Sequence, residues 1–392
     1  MNRLQNSDYS PNSDATPNQA RRVAGMFAPV RQFSMLFVVI ALFSISPTFR
    51  STFFRAEYLP NIFQQSARNI VLAVGMSFVV LTGGIDLSVG SVAALAGVGL
   101  GLSMGGSMPP WLAAIAALPL ALIPSLLVFR RLPSGPTRLA ATAAVFAIAL
   151  ALLGIGLAKG LAGGVHLEIA AAVCVLIGCA CGAINGLVVS TGNVPPFVVT
   201  LGMMSIARGL TLYATNGESV TALSPRLMAL GHGLPLTVIT LSVVVAGSVL
   251  LARFKTGRYI LSIGGNEQAT RLSGVDVISY KTLAYVLSGA CAATAAIVIT
   301  AMFGQASTNA ASGAELDAIA SVVIGGTSLS GGKGSIPGAM AGALTITVIT
   351  AGLILVHVPD TLQQVVLGAV IVLTVIADQL RSRRSLKVVA AG

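Results

Sequence analysis

Long apolar segments follow one another along almost the whole chain, and short polar stretches separate them. About twelve can be recognised, most of them near the roughly 20 apolar residues that a helix needs to cross a membrane. The second and tenth are short, so we expect them to be broken or re-entrant, and the first can extend back toward Ala28. The segments lie near 33–46, 70–84, 86–104, 111–129, 139–158, 167–191, 196–214, 234–252, 280–303, 316–331, 335–356 and 361–378.

Composition agrees with this pattern. The chain is 55% hydrophobic and only 9% charged, whereas ordinary globular domains have about 25% charged residues. Its 43 glycines suit close helix–helix contact inside a membrane bundle. The sequence therefore predicts an all-α, polytopic membrane protein with about 10–12 transmembrane helices, some of them broken or re-entrant.

The basic residues predict an orientation. If the N-terminus lies in the cytoplasm and the segments alternate, seventeen Lys and Arg residues fall on the inner side and five on the outer side. Such an excess marks cytoplasmic loops. Both termini are therefore expected in the cytoplasm. The net charge of +11 then follows from loop bias, and no nucleic-acid partner is needed to explain it.

Three regions are expected from the distribution of polar residues. Residues 1–27 form a polar N-terminal tail, predicted to be disordered and cytoplasmic because it has little to bury. Residues 28–380 form the transmembrane domain. Residues 381–392 form a basic cytoplasmic tail.

One sizeable polar segment, residues 253–281, interrupts the apolar part of the chain. Its centre is typical of a two-turn helix: Asn266 can cap it, Glu267 favours its positive N-terminus, and Gly274 can end it in a left-handed conformation. A helix so short is not stable alone in water. It must pack on something, and we expect a soluble partner protein. The segment is therefore predicted to be a docking element.

The sequence offers little for catalysis, and we expect no catalytic residue, metal ligand or cofactor site in this chain. Its histidines lack the spacing of a metal site, and its four cysteines lie in apolar spans as packing residues. The run GGTSLSGGKGS at 325–335 is not a phosphate loop, because Thr327 holds the place of the first glycine and Gly334 follows Lys333. If ATP drives transport, its ATPase is a separate chain.

Three acidic residues lie at predicted membrane depth: Asp86, Glu315 and Asp317. Burying such a charge at a helix centre costs about 2.5 to 3.5 kcal/mol on insertion scales. Two interpretations stay open. Each can cap a helix N-terminus, or each can belong to a broken helix whose polar end lines a cavity. So few intramembrane charges argue against an ion-coupled pump.

Four blocks carry a resemblance to a known family. They appear in family order, and the similarity runs from about residue 33 to 385. The blocks resemble the membrane permeases of bacterial ABC importers for monosaccharides, the family of ribose, xylose, galactose and arabinose permeases. They are TGGIDLSVGSVAALAG (82–97), NGLVVSTGNVPPFVVTLGMMSIARGL (185–210), IGGNEQATRLSGVD (263–276) and ELDAIASVVIGGTSLSGGKGS (315–335).

The resemblance implies a permease subunit in the bacterial inner membrane that moves a monosaccharide by alternating access. It implies three kinds of protein partner: cytoplasmic subunits that bind ATP and Mg, a periplasmic sugar-binding protein, and a second permease copy. Membrane lipid would surround them. It also assigns the coupling to the ATPase to a set of residues in the docking element, namely Gly264, Gly265, Asn266, Glu267, Ala269, Arg271, Leu272 and Gly274.

Polar residues near the implied translocation pathway are Asp86, Ser88, Asn185, Thr200 and Asn216. The chain departs from the family at one place, because residues 105–184 can hold three spans where most members have one, and 105–166 is expected to be an insertion.

An ABC permease for another small solute, such as a nucleoside or a branched-chain amino acid, is the nearest alternative. A secondary transporter and a membrane-embedded enzyme are further alternatives.

Overall fold

The computed structural model describes residues 28–131, 136–192, 194–221 and 223–390, and over these ranges the protein is helical with no strand. The predicted all-α class is confirmed; the predicted tail at 1–27 lies outside these ranges. The helices, in chain order, are α1 (Ala28–Phe43), α2 (Pro47–Phe53), α3 (Tyr58–Leu81), α4 (Val89–Met104), α5 (Pro110–Arg131), α6 (Pro136–Leu161), α7 (Leu167–Gly192), α8 (Pro196–Thr215), α9 (Pro225–Leu230), α10 (Gly233–Arg253), α11 (Lys255–Gly265), α12 (Glu267–Leu272), α13 (Val277–Phe303), α14 (Ala314–Ile324), α15 (Ile336–Leu355) and α16 (Asp360–Ala390).

Six of the described helices are long and apolar enough to cross a membrane: α6, α7, α8, α10, α13 and α15. Shorter apolar helices lie within α1, α4, α5 and α16. The protein is therefore a polytopic helical membrane protein. α1 begins at Ala28, and α5, α6 and α7 are the three helices expected between residues 105 and 184. α16 continues to Ala390, through most of the stretch predicted as a basic tail.

The second apolar segment is longer than the sequence predicts. It was expected to be short, but α3 has 24 residues and begins at Tyr58. Polar residues such as Gln65 and Arg68 occupy its first turns and conceal the helix from a search for apolar runs. The helix nevertheless forms, because packing against the bundle outweighs the weak preference of single residues.

The centre of the bundle is the pair α7 and α13, which meet through glycine. A Cβ on Gly178 would lie 2.2 Å from the carbonyl oxygen of Gly289, and one on Gly182 would lie 2.2 Å from that of Tyr285. Real side chains do not fit at such distances, so the two backbones are in direct contact. Small residues permit this approach, which gives dispersion contacts that lipid cannot supply.

Loops at the two ends of the bundle form two separate faces. At one end, which we call the coupling face, the amide of Gly332 donates to the carbonyl of Leu81 at 3.0 Å, and Gly264 lies against both residues. At the other end, the distal face, Val220 and Ala306 exchange backbone hydrogen bonds of 3.0 and 2.9 Å. Helices of alternating direction connect the faces, as the hydropathy pattern predicts.

The segment before α14 enters the bundle instead of crossing its end. Gly101 of α4 lies beside Ala306, whereas Gly90 of the same helix lies beside the carboxylate of Glu315. These glycines are about 16 Å apart along an ideal helix. Residues 304–313 therefore descend alongside α4, and the 11-residue α14 begins inside the bundle. The tenth apolar segment, expected to be broken or re-entrant, is therefore a broken span, because it runs from Ala306 at the distal face to Gly332 at the coupling face. We call residues 304–313 the broken segment.

Candidate functional site

The polar segment 253–281 folds into two helices, α11 and α12, that lie on the coupling face. In α11 the side chains of Ile260 and Ile263 are buried. Tyr259 packs edge-on against Tyr280 of α13 with ring centroids 4.8 Å apart. The apolar side of α11 therefore packs on the bundle, whereas the other side of the segment is polar.

The predicted caps of α12 are confirmed. The side-chain oxygen of Asn266 accepts a hydrogen bond from the amide of Ala269 at 2.9 Å. Gly274 lies just beyond the helix with a φ of 82°, the left-handed conformation that glycine adopts without strain. These two caps define the ends of α12, so the local sequence determines its length of six residues.

Glu267 connects α12 to the following membrane helix. Its carboxylate accepts from the Nζ of Lys281 at 2.7 Å and from a guanidinium nitrogen of Arg271 at 3.2 Å. The hydrogen bond from Lys281 is the main cause that holds the pKa of Glu267 below its usual range. The sequence predicted the helix-terminus role of Glu267 but not the bridge to Lys281, fourteen residues away.

The opposite side of α12 is open. Gln268, Ala269, Arg271 and Leu272 are exposed, and Leu272 has 89% of its surface accessible. A scattered exposed leucine is normal on a protein surface. Here it stands on a helix that is capped at both ends and tied to α13, so the exposed side is presented in a fixed position. The arrangement can seat a partner protein.

Gly264 and Gly265, adjacent in the predicted coupling set, have different environments. A Cβ on Gly264 would lie 1.9 Å from the carbonyl oxygen of Leu81 and 2.4 Å from the amide of Gly332. A Cβ on Gly265 would meet nothing within 4 Å. Gly264 is therefore the point where α11 contacts the other loops of the coupling face.

A second polar group lies in the bundle interior around Asp86, whose surface is 2% accessible. One carboxylate oxygen accepts from the amide and hydroxyl of Ser88 at 3.0 and 2.6 Å. The other accepts from the hydroxyl of Ser288, near the middle of α13, at 2.8 Å. Asn185 of α7 donates to the Ser88 hydroxyl at 2.9 Å. This interior cluster, Asp86, Ser88, Asn185 and Ser288, joins the start of α4 to α7 and α13.

The geometry supports the helix-end interpretation of Asp86, and the cavity interpretation stays a prediction. The carboxylate binds the amide of Ser88, the N-cap residue of α4, and so supports that helix end. It also binds a side chain of another helix, which a simple cap does not do. Within the described part of the chain, the Asn185 oxygen and the Tyr285 hydroxyl are buried polar atoms without a hydrogen-bond partner. Sequence analysis missed Ser288, because a serine in an apolar helix carries no signal of its own.

The two other predicted pathway residues lie apart from this cluster. The hydroxyl of Thr200 is within 3.0 Å of the carbonyl of Pro196 and 3.3 Å of the carbonyl of Ile85, so it borders the segment that carries Asp86. Asn216 ends α8 with a φ of 52° and is exposed toward the distal face. The structure thus brings three of the five residues together, places Thr200 next to them, and separates Asn216.

Glu315 and Asp317 lie in the first turn of α14, inside the bundle. Two arginines accompany them. Arg208 of α8 donates to the carbonyl of Thr308 at 2.6 Å, and Arg68 of α3 lines a cavity together with Ser312. Two basic and two acidic side chains therefore lie around the broken segment. Among the described residues, no three His, Cys, Asp or Glu side chains converge as metal ligands would.

These features define a membrane transport protein: a bundle of apolar helices, a broken helix with a charged end inside it, and a capped polar helix fixed on one face. Comparison of the sequence with known families identifies the family. Residues 135–375, more than half of the chain, match the model of the family described as branched-chain amino acid transport system / permease component. The chain belongs to this family of ABC permeases and is a transport subunit.

Its curated relatives include several import permeases. The chain is 36% identical over 353 residues to the ribose import permease protein of Escherichia coli strain K12, covering 88% of this chain and 92% of that protein. It is 33% identical to the D-allose transport system permease protein of the same organism, over 90% of this chain and 91% of that protein. The autoinducer 2 import system permease protein of Photorhabdus luminescens is 28% identical over 89% of each chain. No solved structure was found to match.

Proposed function

We propose that this chain is the membrane subunit of an ATP-driven, binding-protein-dependent importer that translocates a monosaccharide. The observation that carries the proposal is the similarity, along nearly its full length, to permeases named for ribose and D-allose import. The four sequence blocks that resemble monosaccharide permeases lie at the coupling face, at the interior cluster and in α14 with the loop that follows it. A sugar substrate therefore agrees with both the relatives and the residues.

The proposed orientation places the coupling face in the cytoplasm. The segment 253–281 carries five of the basic residues that mark cytoplasmic loops. Cytoplasmic ATPase subunits with ATP and Mg would dock on α12, a periplasmic sugar-binding protein would deliver substrate to the distal face, and a second permease copy would complete the pathway. The chain would lie in the bacterial inner membrane with both termini inside.

The contacts suggest how movement of the ATPase reaches the membrane. A partner that pulls on α12 also pulls on Lys281 through Glu267, and Lys281 lies in the first turns of α13. The middle of α13 holds Asp86 through Ser288. One helix therefore connects the docking element with the interior cluster. In alternating access, a shift of α13 would be transmitted to the start of α4.

A branched-chain amino acid is the second candidate substrate, because the matching family model carries that description. The relatives over the full chain are named for import of ribose, D-allose and autoinducer 2, which favours a sugar or a sugar-like solute. An ion-coupled secondary transporter is a weaker alternative, since the charges around α14 offset one another.

The test is transport by the complete importer in proteoliposomes, with the ATPase and the binding protein encoded beside this chain. We expect uptake of labelled ribose or a related monosaccharide that requires ATP and the binding protein. Uptake of leucine in place of sugars would support the second candidate. Sugar uptake driven by an ion gradient without ATP would refute both.

A further inference from the structure

The broken segment 304–313 borders a cavity of about 290 Å³ near the distal face. This volume is at the lower end of the range for small-molecule sites, roughly 300 to 1,000 Å³. Its wall is more polar than apolar and includes guanidinium, amide and hydroxyl groups together with one aromatic ring. The principal side chains are Arg68, Phe303, Gln305, Ser307, Asn309 and Ser312.

The cavity lies below the membrane surface, at the depth of α4. Residues 304–313 run alongside α4 from the level of Gly101 toward Gly90, about 16 Å farther along that helix. On this path Gln305, Asn309 and Ser312 are exposed. Polar groups at membrane depth do not face lipid; they face protein or a water-filled cavity. The exposed side of the segment therefore faces the second permease copy or the water-filled pathway that the two copies would enclose.

The polar groups that line the cavity indicate which kind of molecule it binds. Arg68 is the one charged group among the lining side chains. Because the other polar groups of the lining are uncharged amides and hydroxyls, the site favours a neutral polar molecule. Amide and hydroxyl groups can bind several hydroxyls of such a molecule, and the ring of Phe303, 62% exposed, can cover an apolar C–H face.

We propose that this cavity is a transient binding site for the neutral sugar on its way from the distal face into the bundle. The inference rests on the proposed function and adds the location of the substrate. It also gives the broken segment a role: the segment carries polar side chains to a depth that a loop at the membrane surface would not reach.

The test compares Gln305→Leu and Asn309→Leu with Glu168→Leu, which removes an exposed polar group at the start of α7 that does not line the cavity. All three are reconstituted with the ATPase and a saturating concentration of ribose-loaded binding protein. We expect the two cavity variants to lose about tenfold or more in maximal uptake rate, a factor equal to one lost polar contact in the transition state. Glu168→Leu should transport normally, and thermal unfolding should be unchanged in all three.

Labelling gives a readout that does not depend on the transport rate. We expect the Asn309→Cys variant to react with a membrane-impermeant thiol reagent, and ribose-loaded binding protein to slow that reaction. Normal uptake by both leucine variants would overturn the proposal. Labelling that proceeds at the same rate with and without the ribose-loaded binding protein would also overturn it, because the sugar would then not reach this cavity. Absence of sugar uptake by the unmodified importer would instead refute the proposed function.

Discussion

The docking element on the coupling face and the interior cluster are both polar, yet their polarity comes from different requirements. α12 is exposed, six residues long and built by local signals: a cap at Asn266, a left-handed glycine at Gly274 and a bridge at Glu267. The cluster around Asp86 is buried and is built by residues from three helices. The comparison teaches that the exposed side of α12 should tolerate change without loss of fold, whereas buried contacts, both in the cluster and where α11 meets other loops, should not.

Gly264→Ala should have the largest effect, because its methyl group would overlap the backbone of Leu81 and Gly332. Overpacking usually costs about 1–3 kcal/mol, and a clash with backbone that cannot rotate away should cost about 3 kcal/mol or more. Gly265→Ala is the matched control and should be neutral or stabilise by roughly 0.5 kcal/mol. Thermal unfolding in detergent distinguishes them. Equal unfolding temperatures would show that α11 does not pack against these loops.

Asp86→Ala should have the next largest effect. It removes the acceptor of three donors, namely the Ser88 amide and the hydroxyls of Ser88 and Ser288. Each buried donor left unsatisfied costs about 1–3 kcal/mol, and since hydroxyls can rotate to other acceptors we expect a total of roughly 2–4 kcal/mol.

Asp86→Asn tests whether the charge of this carboxylate has a role in transport, since the substitution preserves the shape of the side chain and one hydrogen-bond acceptor. We expect this variant to fold. If its uptake and expression equal those of the unmodified chain, Asp86 has only a structural role. A selective loss of uptake would place the residue in the transport cycle. The measurements are yield after size-exclusion chromatography and reconstituted uptake.

Sequence analysis anticipated the docking element better than the interior. The caps Asn266 and Gly274 act over a few residues, so their pattern can be recognised in a single sequence. The cluster depends on Ser288 and Asn185, which lie far from Asp86 in the chain and are brought to it by the glycine contact of α7 with α13. Packing of this kind has no local signature. The length of α3 was hidden in the same way by its polar first turns.

The smallest effect is expected from pH at Glu267. Its pKa is lowered in the folded protein, chiefly by the hydrogen bond from Lys281. The stabilisation is therefore present above the ordinary value of 4.5 and is lost as pH falls through the lowered pKa. Because the carboxylate side chain is 40% exposed, the contribution should stay below about 1 kcal/mol. Glu267→Gln should remove this part of the pH dependence of unfolding; an unchanged profile would contradict the bridge.

The most direct test of the account is recovery of the ATPase with a tagged chain carrying Leu272→Asp. The change places a charge on the most exposed point of α12, where Leu272 makes little contact with the rest of the chain. We expect loss of ATPase co-purification with unchanged thermal unfolding, while Leu272→Met retains the ATPase. Full recovery of an active, binding-protein-stimulated ATPase with Leu272→Asp would contradict the assignment of α12 as the docking element.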